Sequence, residues 1–476
     1  MAACSRIAGA FAIALLAGAA PLSAQNNVDP SGKSAQGDVS VTIYNNNLAL
    51  VQDVRQLDIP RGMSRIEFPD VSAQIRPETL SFAAAGASII EQNFDYDLLS
   101  PDKLMEKAVG QVVTIVRTNP ATGAETREQA KVLAVNGGVV LQIGSRIEVL
   151  RDDGLPVRVI FDKVPPNLRA RPTLSVRVDS DRAGTRPASI RYLTPGLGWS
   201  ADYVALFDSK AGKIDVQGWV TLTNNSGTTY SNANTLLVAG GVNQSGRGGY
   251  TRYAPPPPPG GMIKAGTETA DRERLGDFYL YPIAGRTTIA SNQTKQVSFL
   301  DVQNVSAQAT WEYVNDWLSG SAEPQSANSV VKFSTSKSGG LGDALPAGTV
   351  RFYMKDASGA AQFIGENTIG HTPMGSELAL ATGQAFDVKV RSTVETRQKL
   401  SDRKWRTTMR YEVTNAKPEA ITVDVVQRGL NWFWEDTRIV AESMNSQRRS
   451  ADSTVWSVPV PANGSTTVTA TFETRY

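Results

Sequence analysis

Apolar and polar residues alternate along most of the chain beyond Asp38. The stretch SVTIYNNNLALVQDVRQLDIPRGMSRIEFPDV, from Ser40, holds three such runs, parted by Asn45-Asn46-Asn47 and Pro60-Arg61-Gly62. A period of two marks a strand, because successive side chains point to opposite faces. One local phrase recurs: LDIPRGMSRIEF (57–68), LPAGTVRFYM (345–354) and VPVPANGSTTVTATF (458–472). Proline presets one turn position and glycine accepts positive φ, so each copy predicts a strand, a turn and a strand paired as a hairpin. A second phrase runs a strand into asparagine and out again, at VQGWVTLTNNSGTTYSNANTLLV (216–238) and MRYEVTNAKPEAITVDVV (409–426). Such pairs are frequent in immunoglobulin-like sandwiches.

Two regions break the pattern. Ser100 and Pro101 ahead of DKLMEKAVG supply a cap, a proline at the first helical position and Gly110 as a stop, which predicts one short helix. Short runs at 112–117, 129–135, 139–143, 146–150 and 157–161 follow it and predict a small SH3-like barrel within 106–165. The other break is 243–276, which carries five consecutive prolines (Pro255 to Pro259) between glycines. Proline cannot donate to a sheet and favours an extended hydrated chain, so this segment reads as an exposed loop, with a docking peptide as the alternative.

The expected fold class is therefore all-β: two or more immunoglobulin-like sandwich units, a small barrel-like insert and one helix. The organisation expected is a signal peptide at 1–24, a polar lead-in at 25–38, an N-terminal β domain at 39–185 and a C-terminal sandwich region at 186–476.

The address comes from the first residues. Arg6, the apolar run at 7–20, Pro21 and Leu22-Ser23-Ala24 form a Sec-type export signal, and the run is shorter than the roughly 20 residues a bilayer requires. The single cysteine, Cys4, lies inside it. The processed chain then has no thiol, which excludes disulfides, cysteine nucleophiles and cysteine-ligated metals. Lys+Arg 48 against Asp+Glu 46 gives no basic excess that would point to nucleic acid. No later run reaches membrane length, so the protein is expected to be periplasmic, secreted or associated with the outer membrane.

Searching for chemistry yields little. In LTPGLGWSADYVALF (193–207), Gly196-x-Gly198 lacks the third glycine of a dinucleotide loop, and Gly198-Trp199-Ser200-Ala201-Asp202 has Asp where a nucleophile elbow needs glycine. The plain reading is a tight turn and a strand burying Trp199 and Tyr203. One histidine, His371, cannot build a histidine-rich metal site and reads as a turn residue. Asp179-Ser180-Asp181 opens like a calcium loop, but Ala183 and Ile190 occupy ligand positions. Asp95, Asp97 and Asp102 gather near the helix start, where negative charge is favourable without a metal and an irregular calcium site is the alternative. No catalytic residue, cofactor or metal ligand is selected. Trp432 and Trp434 fall on one face of a strand, where they either anchor a core or stack on sugar rings. Trp311 and Trp317 read as core. The C-terminal run VTATFETRY is too weakly apolar on alternate positions for a lipid-facing barrel strand and reads as an ordinary closing strand.

A resemblance rests on these phrases taken in order. VTIYNNNLALVQDVRQLDIPRG, IRPETLSF, IRYLTPGLGWSADYVALFD and the VTLTNNSG strand resemble the bacterial proteins grouped as domain of unknown function 4139, as do GENTIGHTPMGSELALATGQAFDV and VTNAKPEAITVDVVQ. The likeness covers nearly the whole processed chain, with the named domain from about residue 190 to the end. Relatives described as mucoidy inhibitors carry a coiled coil, and this chain shows no sustained heptads. The resemblance implies an exported, β-rich envelope protein and supplies no catalytic residues. The expected role is a non-enzymatic interaction or structural module whose partner is an envelope protein or polysaccharide. The alternative is a lectin or a carboxylate-based glycoside hydrolase acting on envelope polysaccharide.

Overall fold

The strand Leu197–Asp208 shows how the alternation becomes a core: Leu197, Trp199, Ala201, Tyr203, Ala205 and Phe207 are all buried, and the residues between them are not. A computed structural model of the chain describes residues 34–95, 98–150, 157–165, 168–242, 262–269, 272–356, 358–431 and 436–475. Residues 1–33, which include the expected export signal, and most of the 243–276 segment lie outside that description. Among the described residues there are thirty strands and one α-helix, so the all-β class holds. No helix among them is long and apolar enough to cross a membrane.

The strands form three sheets. In the first, Asp38–Tyr44 runs antiparallel to Leu48–Ile59 and parallel to Tyr230–Ala239, and Gly184–Thr194 pairs with Leu48–Ile59 on its other side. In the second, Leu197–Asp208 and Lys213–Asn224 lead into Gln293–Asp316, Gln325–Ser334, Glu377–Ser401, Lys404–Asn415 and Gly464–Arg475. The first sheet packs on the early part of the second around one apolar core that joins Val41, Ile43, Ile190 and Tyr192 to Trp199, Tyr203 and Phe352. The expected boundary at 185/186 falls inside Gly184–Thr194, and this core draws on residues from both sides of it. A second core surrounds Tyr411, Trp456 and Phe472, whose rings pack in tilted and edge-on contact.

Three strands serve both cores. Gln293–Asp316 gives Leu300 and Val305 to the first and Tyr313 to the second. Gln325–Ser334 gives Val331 and Phe333 to the first and Ala327 to the second. Glu377–Ser401 gives Leu378 and Leu380 to the first, then Val388 and Val390 to the second.

The insert follows its sequence closely. Pro101–Lys107 is the helix, with Ser100 Oγ accepting the Lys103 N–H at 3.2 Å. The strands Val112–Thr118, Glu125–Val135, Val139–Ile143, Arg146–Leu150 and Val157–Ile160 enclose a separate core with Met105 and Ala108. The sheet curls, yet its edge strands Arg146–Leu150 and Val157–Ile160 do not pair, so the expected small barrel is open. Side chains tie three of its strands together: Arg117 and Arg146 alternate with Glu128 and Glu148 in a ring of ion pairs, at 3.1 Å for Arg117–Glu128 and 2.7 Å for Arg146–Glu128. The bonds from Arg146 and Arg117 hold the Glu148 carboxyl below its ordinary value.

The proline–glycine phrases are not hairpins. Leu48–Ile59 does not pair with Gly62–Pro69, and Thr454–Val460 does not pair with Gly464–Arg475. Gly348–Lys355 pairs with Leu197–Asp208 and Ala361–Ile369, and nothing before Pro346 runs alongside it. Each phrase is a corner that hands the chain to new neighbours. Two-residue hairpins prefer turns with positive φ at the first central position, which proline cannot adopt. The asparagine phrases likewise carry the chain out of one ladder into another: Lys213–Asn224 lies in the second sheet and Tyr230–Ala239 in the first.

Candidate functional site

Beside the first core, a short strap crosses the surface at the start of Glu377–Ser401. Met262–Lys264 pairs with the start of Glu377–Ser401 at only two positions, Met262 with Leu378 and Lys264 with Glu377. The strap then runs on through bonds from its own backbone: Gly266 N–H donates to Ser376 Oγ at 2.9 Å and Glu268 N–H to Met374 O at 3.3 Å. The surface beneath is stitched tight. Thr335 and Ser376 are fully buried, Ser376 N–H donates to Thr335 Oγ1 at 2.8 Å, and both hydroxyls donate to Pro373 O.

Shallow openings flank the strap. One, of about 570 Å³, is lined by Glu268, Thr269, Lys337, Ser338 and Met374. Another, of about 370 Å³, includes Ile263, Gln308, Lys332, Ser334, Gly339 and Glu377. Glu268 is committed to the fold, since its Oε2 accepts the Lys337 N–H at 2.8 Å.

Close by, Glu312 and Asp424 stand opposite one another on parallel neighbouring strands. Each carboxylate holds a cation: Arg449 Nη1 lies 2.9 Å from Glu312, and Lys332 Nζ lies 2.7 Å from Asp424, whose other oxygen accepts Ser457 Oγ. Glycoside hydrolysis needs one carboxyl able to carry a proton to the leaving group. Here each carboxylate is already held by a cation. The chemistry of this pair is that of a cross-strand ion-pair cluster.

The other residues singled out in the sequence separate by role. Trp199 and Tyr203 are buried, with Trp199 Nε1 donating to Ile43 O at 3.1 Å and the Tyr203 hydroxyl to Pro346 O at 2.8 Å. Ser200 is exposed, and Asp202 pairs with Arg351 at 2.8 Å. His371 Nδ1 accepts the Ala347 N–H at 3.2 Å, and burial pushes its pKa down. At the loop that opens like a calcium site, the buried Arg186 guanidinium sits among the oxygens, donating to Ser180 Oγ at 2.5 Å and Gly184 O at 3.0 Å. A fixed cation thus occupies the turn. Asp102 lies in the first turn of the helix, while Asp97 and the Asp95 side chain lie outside the described residues.

Trp432 and Trp434 also lie outside the described residues. Trp311 is half-buried against the second core, with Lys417 Nζ 5.5 Å from its ring centre. Trp317 is 40% exposed, which its sequence context did not signal. The single cue is Asn315-Asp316 ahead of it, two turn-forming residues at the end of a strand pattern. The strap was equally hidden, because MIKAG carries no long alternating run.

No protein-family model matches the chain, and no curated protein matches it significantly. The resemblance to domain of unknown function 4139 rests on the strand-and-turn phrases alone.

Proposed function

We propose that the processed chain is an exported, non-enzymatic binding module of the cell envelope, and that the surface beside the strap receives an extended segment of a partner protein. The observation that carries this reading is the strap itself. The chain lays its own extended segment on the start of Glu377–Ser401 with two register positions, one bond to a serine hydroxyl and one to a backbone carbonyl. Strand addition to a sheet gains affinity from main-chain hydrogen bonds and specificity from side-chain pockets. The openings lined by Ile263 and by Glu268 offer such pockets, and the residues beneath are rigidly bonded. The export-type signal at 1–24 and the resemblance to an exported family support the envelope address.

Photoreactive residues at Gln308 and Ser338, both exposed, test the reading in intact cells. One discrete protein should be captured from each, and none from a control at Asp402, a fully exposed hairpin tip. Equal capture at all three positions, or none at Gln308 and Ser338, would overturn it.

A further inference from the structure

The seat beneath the strap closes its own bonds. Leu378 and Glu377 pair with Phe333 and Ser334 on one side and with Met262 and Lys264 on the other. Thr335 N–H donates to Ser376 O at 2.9 Å, and the hydroxyls of both residues donate to Pro373 O. Lifting the strap would therefore leave an ordered sheet edge. Such an edge, with its main-chain groups open, is a template for another extended segment.

The strap is held unevenly. At its N-terminal end it has two ladder positions, with a register irregularity between them. On its C-terminal side, Arg272 grips Asp343, with Nε 2.9 and 2.8 Å from the two carboxylate oxygens. The Arg272 guanidinium also lies 4.3 Å from the centre of the Tyr281 ring, whose buried hydroxyl donates to Ala344 O at 2.9 Å. A bidentate pair of this kind is a strong contact, whereas a segment with few buried apolar contacts and exposed backbone bonds opens first.

Three residues of the strap match the seat. Ile263 is partly buried and lines an opening with Phe333 and Leu378. Gly266 lies so close to Met374, Gly375 and Ser376 that a Cβ there would collide with their backbone. Glu268 reaches over Gly375 to accept the Lys337 N–H at 2.8 Å, and a Cβ on Gly375 would come within 2.8 Å of Glu268 Cγ. Lys264, Ala265 and Thr267 are exposed.

We infer that the strap is a displaceable placeholder, and that its seat takes from a partner protein an extended segment of the pattern apolar-x-x-Gly-x-acidic, laid where Ile263, Gly266 and Glu268 now lie. The inference rests on the partner-protein reading above and adds which segment fits and how the seat is kept covered. A tethered strand competes at an effective concentration of about millimolar. The apparent affinity for an incoming segment then falls in proportion to the fraction of molecules whose strap is lifted.

A fluorescein-labelled peptide copying residues 262–269, MIKAGTET, titrated into the processed chain by fluorescence anisotropy tests the placeholder. The native chain should bind it weakly, and Gly266→Ala in the protein should tighten binding by about tenfold or more. A disulfide formed by Lys264→Cys with Glu377→Cys, which stand opposite one another, should abolish binding until it is reduced. This reducible lock decides the matter if Gly266→Ala folds poorly. Peptide binding that Gly266→Ala leaves unchanged, or that survives in the oxidised double variant, would refute the placeholder. The photoreactive Gln308 chain separates this from the partner reading, because the lock should suppress its capture in cells. Capture that the lock leaves intact refutes the placeholder and spares the partner reading, whereas peptide exchange without cellular capture refutes the partner reading alone.

Discussion

Asn224 and Asn415 make the same set of bonds at corners of two different cores. Each is buried at the end of a strand, and its Oδ1 accepts the N–H of the residue two positions on, Ser226 or Lys417, at 3.0 Å. Each Nδ2 donates to the carbonyl four positions on, Thr228 at 2.9 Å or Glu419 at 2.8 Å, and to a carbonyl from a distant segment, Ile289 or Pro461, at 3.0 Å. The side chain replaces the ladder bonds that the departing strand gives up.

Asn224→Ala and Asn415→Ala should each destabilise the protein by about 2–4 kcal/mol, since several buried groups lose their partners at once. Denaturant unfolding measures this. A loss below about 1 kcal/mol at either site would show that water or a rearranged loop replaces the amide.

The sole histidine gives a clean pH test. Burial lowers the His371 pKa, and Nδ1 accepts the Ala347 N–H only while that nitrogen is unprotonated. The unfolded chain takes up a proton near pH 6.5 that the folded chain resists, so this contribution is intact above about pH 6.5 and falls as pH drops toward the folded value. Unfolding midpoints should decline from about pH 7.5 to about 5.8, and His371→Gln should flatten that slope. An unchanged slope in the variant would assign the decline to carboxylates.

Two glycines of the recurring corner phrase should behave differently. A Cβ at Gly348 would sit 2.1 Å from Ala201 O, inside a parallel ladder, so Gly348→Ala should cost on the order of 2 kcal/mol or more. Gly62 has φ +80° and open space around it, so Gly62→Ala should cost only about 1 kcal/mol of backbone strain. Thermal unfolding of both variants orders them, and the reverse order would refute the steric account.

Asp53 and Arg55 form a buried ion pair at 2.7 Å, with Gly37 N–H on Asp53 Oδ1 and Arg55 reaching Pro69 O. Removing one partner strands the other, so Asp53→Asn or Arg55→Met should each destabilise by about 3–5 kcal/mol. The double change Asp53→Leu with Arg55→Met should recover most of that loss. Calorimetric unfolding of the three variants checks it, and additive losses would deny the coupling.

Strands were legible where alternation met turn chemistry, as in the five runs of the insert and the Ser100 cap. The pairing of strands was not. Proline and glycine announce that the chain bends, but the partner of the next strand is chosen by the facing core, as Pro346 shows when Gly348 joins Leu197–Asp208. Strand Leu48–Ile59 hid its ion pair for a related reason. Asp53 and Arg55 share the buried face with Val51 and Ile59, and charge within an alternating run reads as solvent-facing unless its partner is seen. Trp317 escaped because an exposed indole and a core indole look alike in one dimension. The strap needed Ser376 and Met374, far along the chain, to define it.

Gln293–Asp316, Gln325–Ser334 and Glu377–Ser401 pass without a break from one apolar core to the other. A pull along these strands loads many ladder bonds side by side, in shear, instead of opening them one after another. Because each of the three runs on from one half to the other, a load applied to either core should be carried into its neighbour, and the two should yield together.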